Sequence, residues 1–288
     1  LTSDSVKALG CSWSPTSDLI SIQTQEQEVA MTKRGMLKCT ASIFDPLGLV
    51  SPFVVRAKLL LQRLWSMNFD WDQPLEDEVL CAWEAWLSQR HALANIKTPR
   101  CYKSELHHPV TRVELHVFGD ASEEAFAAVA YLRQTSSDGK VSCSLVMSRT
   151  RNAPLKQISI VRLEMQAAVL AVRLGRTLQR EISTPLDAVY YWTDSKAVLH
   201  YIKNESKRFH TFVANRVAEV RSESDVSEWR HVPGLLNPAD LGSRGCSARG
   251  IIDGGHEGRS YPTWRHRAAV SRRFRGGFAA VSRGCADE

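Results

Sequence analysis

Three runs with the alternation of strands follow one another between residues 112 and 149: VELHVFGD, AFAAVAYLR and VSCSLVMSR, with SSDGK as the turn between the last two. Three strands joined by short connections predict an antiparallel meander. The segment 160–181 then sets Ile160, Leu163, Ala167, Leu170, Ala171 and Leu174 on one face of a long helix. After it comes a buried-strand run, Ala188-Val189-Tyr190-Tyr191-Trp192, rich in aromatic and β-branched residues. A helix carrying Ala197, Val198, Tyr201 and Ile202, a helix over about 209–221, a short strand SEWRHV and a helix near 237–244 complete the order. This order, β-β-β-α-β-α-α-β-α, restricts residues 112–245 to an α/β fold: a mixed five-stranded sheet flanked by helices.

The flanking regions differ in texture. Residues 1–100 open on a hairpin, LGCSWSPTSDLISIQ, and continue as three helices over about 32–44, 52–66 and 75–92. In the last of these Val79, Ala82, Trp83, Trp86 and Leu87 form one apolar stripe, read as core. These helices are expected to pack mainly on one another and to leave an apolar surface exposed. Residues 101–111 read as a linker, with His107 and His108 solvated. Residues 246–288 lose periodicity: eight Arg and seven Gly with no Lys, expected as a disordered or degenerate tail, its end compatible with a reading-frame shift. The formal charge of the whole chain is +6, of which +4 falls in this tail, so the main body is not a basic protein.

Asp194 stands where the aromatic strand meets the next helix, in YYWTDSKAVLHYI. Asp194-Ser195 is therefore either a helix cap or a carboxylate held at a strand's carboxyl end. Three further acids occupy comparable places. Asp120 ends the first strand of the meander in HVFGDAS. Glu164 lies in the first turns of the long helix in SIVRLEMQAA. Asp240 enters the last helix in HVPGLLNPADLGSR. In a mixed sheet, strand ends and helix starts converge along one edge, where ligands bind. A pair of carboxylates ~4 Å apart repels by about 4 kcal/mol at an effective dielectric near 20. Such a cluster calls for divalent cations, and hard oxygen donors suit Mg²⁺ or Mn²⁺.

The ordered set FGDAS, RLEMQAA, YWTDS and RHVPGLLNPADLGSR resembles the active-site series of type 1 ribonuclease H, in the version carried by BEL/Pao retrotransposon polyproteins. TKRGMLKCTASIFDPLGLVSPFVVRAKLLLQRLW followed by FDWDQPL is similar to the stretch joining reverse transcriptase to ribonuclease H in that group, and LGCSW resembles the end of the polymerase palm. The resemblance covers about residues 5–246. It implies a ribonuclease H-like domain over 112–245, preceded by a mostly helical thumb or connection region. It also implies cleavage of the RNA strand of an RNA–DNA hybrid with two Mg²⁺ or Mn²⁺ ions held by Asp120, Glu164, Asp194 and Asp240. His231 would assist proton transfer or product release. Ser122, Ser195 and Asn237 would contact the hybrid, although only two residues separate Asn237 from Asp240 where many relatives have three. With no long basic hybrid-binding helix, grip would fall to Arg149, Arg151 and Lys156 or to neighbouring polyprotein domains. Those partners, polymerase palm and fingers and integrase, make the chain a piece of a longer product, in a cytoplasmic retroelement particle.

Other functions fit less well. The same region of this group carries a Pao retrotransposon peptidase label, but an aspartic peptidase needs Asp-Thr-Gly or Asp-Ser-Gly and the chain has neither. It has no Asp-Asp pair for a polymerase core, and its carboxylates do not run in the Asp, Asp, Glu order of an integrase. A catalytically inactive remnant, with the fold kept as a connection domain, is the remaining alternative. Seven scattered Cys without a CxxC pair argue against a zinc site or disulfide framework and for a reducing compartment. No apolar run is long enough to span a membrane.

Overall fold

The computed structural model describes residues 6–8, 11–24, 28–102, 108–206, 208–253, 255–256 and 259–260. Its first sheet is antiparallel: β1 (Val6–Ala8), β2 (Cys11–Ser14) and β3 (Leu19–Ile22), the expected hairpin, joined by β4 (Lys97–Pro99) from much later in the chain. Between β3 and β4 lie α1 (Lys33–Ser42), α2 (Ser51–Ser66) and α3 (Asp77–Leu87). Thr32 caps α1 by accepting from the Gly35 N–H at 3.1 Å, and Pro52 sits in the first turn of α2, where its missing N–H costs nothing. The third helix is shorter than its apolar stripe predicts, giving way to a 3-10 turn at Arg90–Asn95.

The meander forms as β5 (Val110–Ala121), β6 (Ala125–Ser136) and β7 (Val141–Asn152), all antiparallel. Then α4 (Ile160–Glu181) crosses over to β8 (Ala188–Thr193), which pairs parallel with β5. After α5 (Lys196–Lys203) and α6 (Thr211–Glu223), β9 (Trp229–His231) pairs parallel with β8. The five strands lie in the order β7-β6-β5-β8-β9, the mixed sheet of a ribonuclease H-like α/β fold. The chain continues through α7 (Asp240–Arg244) and α8 (Ala248–Asp253) to a short pair, β10 (Gly255–His256) and β11 (Arg259–Ser260).

Both faces of this sheet are covered. Leu115, Val117, Ala128, Ala130 and Tyr191 pack against α4, α5 and α6 on one side. Phe118, Val129, Tyr131 and Trp192 pack on the other into a core shared with Met36, Phe53, Leu64 and Trp86 of α1, α2 and α3. Among these helices α1 and α3 pack on α2, and α2 lies on β7, so they pack on one another and also join the core of the sheet; Leu37, Phe44, Trp65 and Met67 stay exposed. Polar contacts fix them there. The Ser148 N–H donates to Leu47 O at 2.8 Å, the Ser51 and Ser148 hydroxyls meet at 2.6 Å, and Asn152 Nδ2 donates to Lys58 O at 3.0 Å. Gly48, at φ +72°, makes this approach possible: a Cβ there would lie 2.2 Å from Ser148 O.

The alternation in β5 does not separate a buried from a solvated face. Its polar positions, Glu114 and His116, are buried rather than solvated. Glu114 pairs with Arg112 at 2.9 Å and with Arg133, and His116 Nδ1 accepts from Trp192 Nε1 at 3.1 Å. The tail expectation needs a similar correction at its start. Cys246, Ala248 and Ile251 are buried in the shared core, and the Cys246 N–H donates to Pro52 O at 2.9 Å, so the fold runs on past Gly245. Residues 261–288 lie outside the described residues, as does His107; His108 is exposed beside the Asp138 carboxylate, at 3.8 Å.

Candidate metal centre

Phe118 of β5 and Trp192 of β8 are parallel partners, and two residues beyond each stand Asp120 and Asp194. Adjacent parallel strands thus deliver two carboxylates to the same edge. The third arrives from α4. A Cβ at Gly119 would lie 3.1 Å from Ala167 O, so the strand carries no side chain where the helix backbone crosses it. That close approach brings Glu164, one turn earlier on α4, over the strand ends. One carboxylate oxygen from each of Asp120, Glu164 and Asp194 lies within 4.8 Å of the others.

The electrostatics match the crowding. Burial pushes the Asp120 carboxyl up to about 7; the Ser243 hydroxyl opposes this, and the charges of Asp194 and Asp240 add to it. Burial, then the charges of Asp120 and Asp194, push Glu164 up to about 9. Asp194 is raised too, chiefly by burial, with Asn237 and the nearby His231 pulling the other way. Glu164 Oε2 and Asp194 Oδ1 are buried and accept no hydrogen bond. Such orphaned oxygens are costly unless something absent from the protein itself satisfies them. Three converging carboxylates, two of them with a buried oxygen that accepts no hydrogen bond, are a donor set suited to a hard divalent cation.

Asp194 is not the helix cap. Ser195 is: its hydroxyl accepts from the Val198 N–H at 3.4 Å, while its own N–H donates to Thr193 Oγ1 at 3.1 Å. Ser122 likewise serves its own turn, accepting from Ala125 N at 3.1 Å and donating to Ser243 O at 2.7 Å. Asn237 has no exposed surface at all. It faces inward, donating to Gly119 O at 3.0 Å and to Asp120 Oδ1 at 3.4 Å, and so holds Asp120 in place. His231 ends β9 opposite Thr193, beside Asp194 at the rim.

Asp240 stands apart from the converging trio. It begins α7, is buried, and is engaged by Arg244 Nε at 2.5 Å, one helical turn on. Three residues of RHVPGLLNPADLGSR have a part in the site beyond the roles that the resemblance implies. Ser243 donates its hydroxyl to Asp120 Oδ2. Arg244 places its charge near Asp120 and Glu164 as well as on Asp240. Gly234 lets its loop close over Asp194, since a Cβ there would lie 2.9 Å from Asp194 Oδ2. Of these only the Asp240–Arg244 spacing, i and i+4, carries a signal in the sequence.

The family model described as the Pao retrotransposon-like RNaseH-like domain matches residues 32–195, from the start of α1 to the cap of α5. No curated protein matches the chain. Similar solved structures include RNase H1 from the halophilic archaeon Halobacterium salinarum, at 16% identity over 49% of this chain and 98% of that one, TM-score 0.29. LC11-RNase H1 in complex with an RNA/DNA hybrid is 14% identical over 45% of this chain and 91% of that one, TM-score 0.30. The foamy viral protease-reverse transcriptase in complex with double-stranded DNA is 13% identical over 81% of this chain, which spans 38% of that one, TM-score 0.48.

Proposed function

Because the chain belongs to the Pao retrotransposon-like RNaseH-like family, we propose that it is a ribonuclease H-type hydrolase. It cuts the RNA strand of an RNA–DNA hybrid and depends on divalent metal ions. The convergence of Asp120, Glu164 and Asp194, the last two each with a buried oxygen that accepts no hydrogen bond, carries this reading. Asp120, Glu164 and Asp194 would hold Mg²⁺ or Mn²⁺, with Asp240 joining them once it leaves Arg244. Ions bound there supply a water nucleophile at neutral pH and offset the charge that develops on the leaving oxygen.

The chain's own groups prepare that site. Ser243 and Asn237 fix the two oxygens of Asp120, which is therefore set before any ligand arrives. Arg244 offsets part of the repulsion among the acids in the metal-free protein. His231, next to Asp194 and half-exposed, is placed to carry a proton to or from the reacting phosphate. The phosphodiester backbone and the 2′-hydroxyls of the RNA strand would supply recognition. The remaining domains of a retroelement polyprotein would be its partners.

The test is cleavage of an end-labelled RNA–DNA hybrid by the full chain, with and without Mg²⁺ or Mn²⁺, beside double-stranded DNA, double-stranded RNA and single-stranded RNA. Metal-dependent cuts confined to the RNA of the hybrid are expected. An intact hybrid under every ion would leave a non-catalytic remnant that keeps only the fold.

A further inference from the structure

Away from the carboxylates, a groove of about 400 Å³ runs between α4 and the end of β7. Arg149 and Arg151 line it from the strand; Gln166, Arg173 and Thr177 line it from the helix, and Phe126 lies among them. No acidic side chain lines it among the described residues. The Arg173 guanidinium is fixed in place by its Nε bond to Glu219 at 2.6 Å. The positive charge of Arg151 reaches Lys58 across the strand end, where it adds to burial in lowering that ammonium's pKa.

The backbone has been adjusted to put these arginines there. Tyr131 pairs with Leu145 but Ala130 pairs with Met147, so Val146 is an extra residue, a bulge in β7. A one-residue slip exchanges the two faces of a strand. Leu145 faces the layer of α1, α2 and α3, whereas Arg149 pairs with Ala128, whose side chain faces α4. Without the bulge Arg149 and Arg151 would point into the α2 interface, where the small Ser148 now bonds Gly48 O at 2.6 Å.

The same pairing relates the groove to the carboxylates. Asp120 is opposite Ala127, and Ala127 is opposite Thr150; this row faces α7, while Arg149 and Arg151, on either side of Thr150, face α4, where Gln166 of the groove stands two residues beyond Glu164. Two strand spacings, ~10 Å, separate the ends of that row. We propose that this groove is an anion site for the phosphodiester backbone of the duplex whose scissile bond lies at Asp120. The proposal rests on the hybrid-nuclease reading above and gives it a grip that needs no basic helix. Charges on an edge strand also discourage sheet-to-sheet pairing, and the experiment separates the two roles.

The full chain would be titrated with a fluorescent RNA–DNA hybrid in EDTA, where the hybrid stays whole, over a range of salt concentrations. Three versions would be compared: wild type, Arg149→Gln/Arg151→Gln, and a control of equal charge change, Lys38→Gln/Lys140→Gln, with Lys140 at the far end of the sheet. Removing one cation that neutralises a phosphate should lower the log–log salt slope by about 1. The arginine pair is therefore expected to reduce the slope by about 2 and the affinity roughly tenfold or more at ~0.1 M salt, with the control near wild type. Arg149→Lys/Arg151→Lys should recover most of the binding. If the arginine pair binds like wild type, or only as weakly as the control, the groove proposal is overturned. The same holds if its one defect is self-association, which would make the arginines edge protection. If wild type itself binds no hybrid at any salt, the hybrid-nuclease reading fails along with it.

Discussion

Asp194 and Ser195 divide between them two duties that the dipeptide leaves open. The cap falls to Ser195, whose hydroxyl reaches the Val198 N–H, and Asp194 is left with a buried oxygen that accepts no hydrogen bond. Ser195→Ala should therefore lower stability by about 1 kcal/mol, in the range found when a cap is removed, and leave hybrid cleavage within about twofold. Denaturant melts and initial rates on one preparation check both halves. The acids beside it make a different prediction. Asp120 and Glu164 are raised to about 7 and about 9, so the folded, metal-free chain keeps protons there that the unfolded chain releases near pH 4. The stability this gives is complete below about pH 4 and is lost as pH rises through 7 and 9. Melting temperature in EDTA should fall from pH 5.5 to 8.5, and Glu164→Gln should flatten that fall and melt higher than wild type at pH 8.5. A wild-type curve rising over that range, with the variant parallel to it, would mean that Glu164 is not held against its charge.

Single elements explain which parts of the architecture can be read from residues. The strands of the meander and α4 are legible because alternation and a helical stripe each run for several turns of the pattern. The burial of Glu114 and His116 is not, because Arg133, Tyr190 and Trp192, which pack on them, come from β6 and β8. The β7 bulge leaves no trace either, since register depends on partners rather than on local sequence. Helix α8 hides in a stretch whose Arg and Gly content reads as loop. Of the site, the four acids and His231 are legible by motif. The bonds that Ser243 and Asn237 make to Asp120 and Gly119 are not, because they depend on α7 folding back over β5. The loop before α7 can be tested through Gly234. A methyl group there meets Asp194 Oδ2 at 2.9 Å, so Gly234→Ala must move the loop or the carboxylate. Cleavage should fall roughly ten- to hundredfold, as displacements of about 1 Å do to catalytic groups, with the melting temperature little changed. Unaltered cleavage would mean that the loop stands clear of Asp194 in the working enzyme.

On the scale of the whole molecule, the helical layer and the sheet share one core, and the family match spans both, crossing the stretch 101–111 that reads as a linker. A fragment beginning at residue 108 would bare Phe118, Val129, Tyr131 and Trp192 on one sheet face. It should bind an apolar dye and associate where the full chain does not. A monomeric, dye-free 108–253 fragment would show the helical layer to be dispensable. Everything else depends on the carboxylate cluster being a metal site, and Asp194→Asn tests that most directly. The substitution keeps the shape of the side chain, leaves the Ser195 cap in place and removes one negative charge from among the acids. Hybrid cleavage by wild type and by Asp194→Asn should be followed across one Mg²⁺ titration, with hybrid binding measured in EDTA alongside. Cleavage is expected to be nearly abolished at every Mg²⁺ concentration while binding holds or tightens; cleavage at the wild-type rate would contradict a metal site at Asp194.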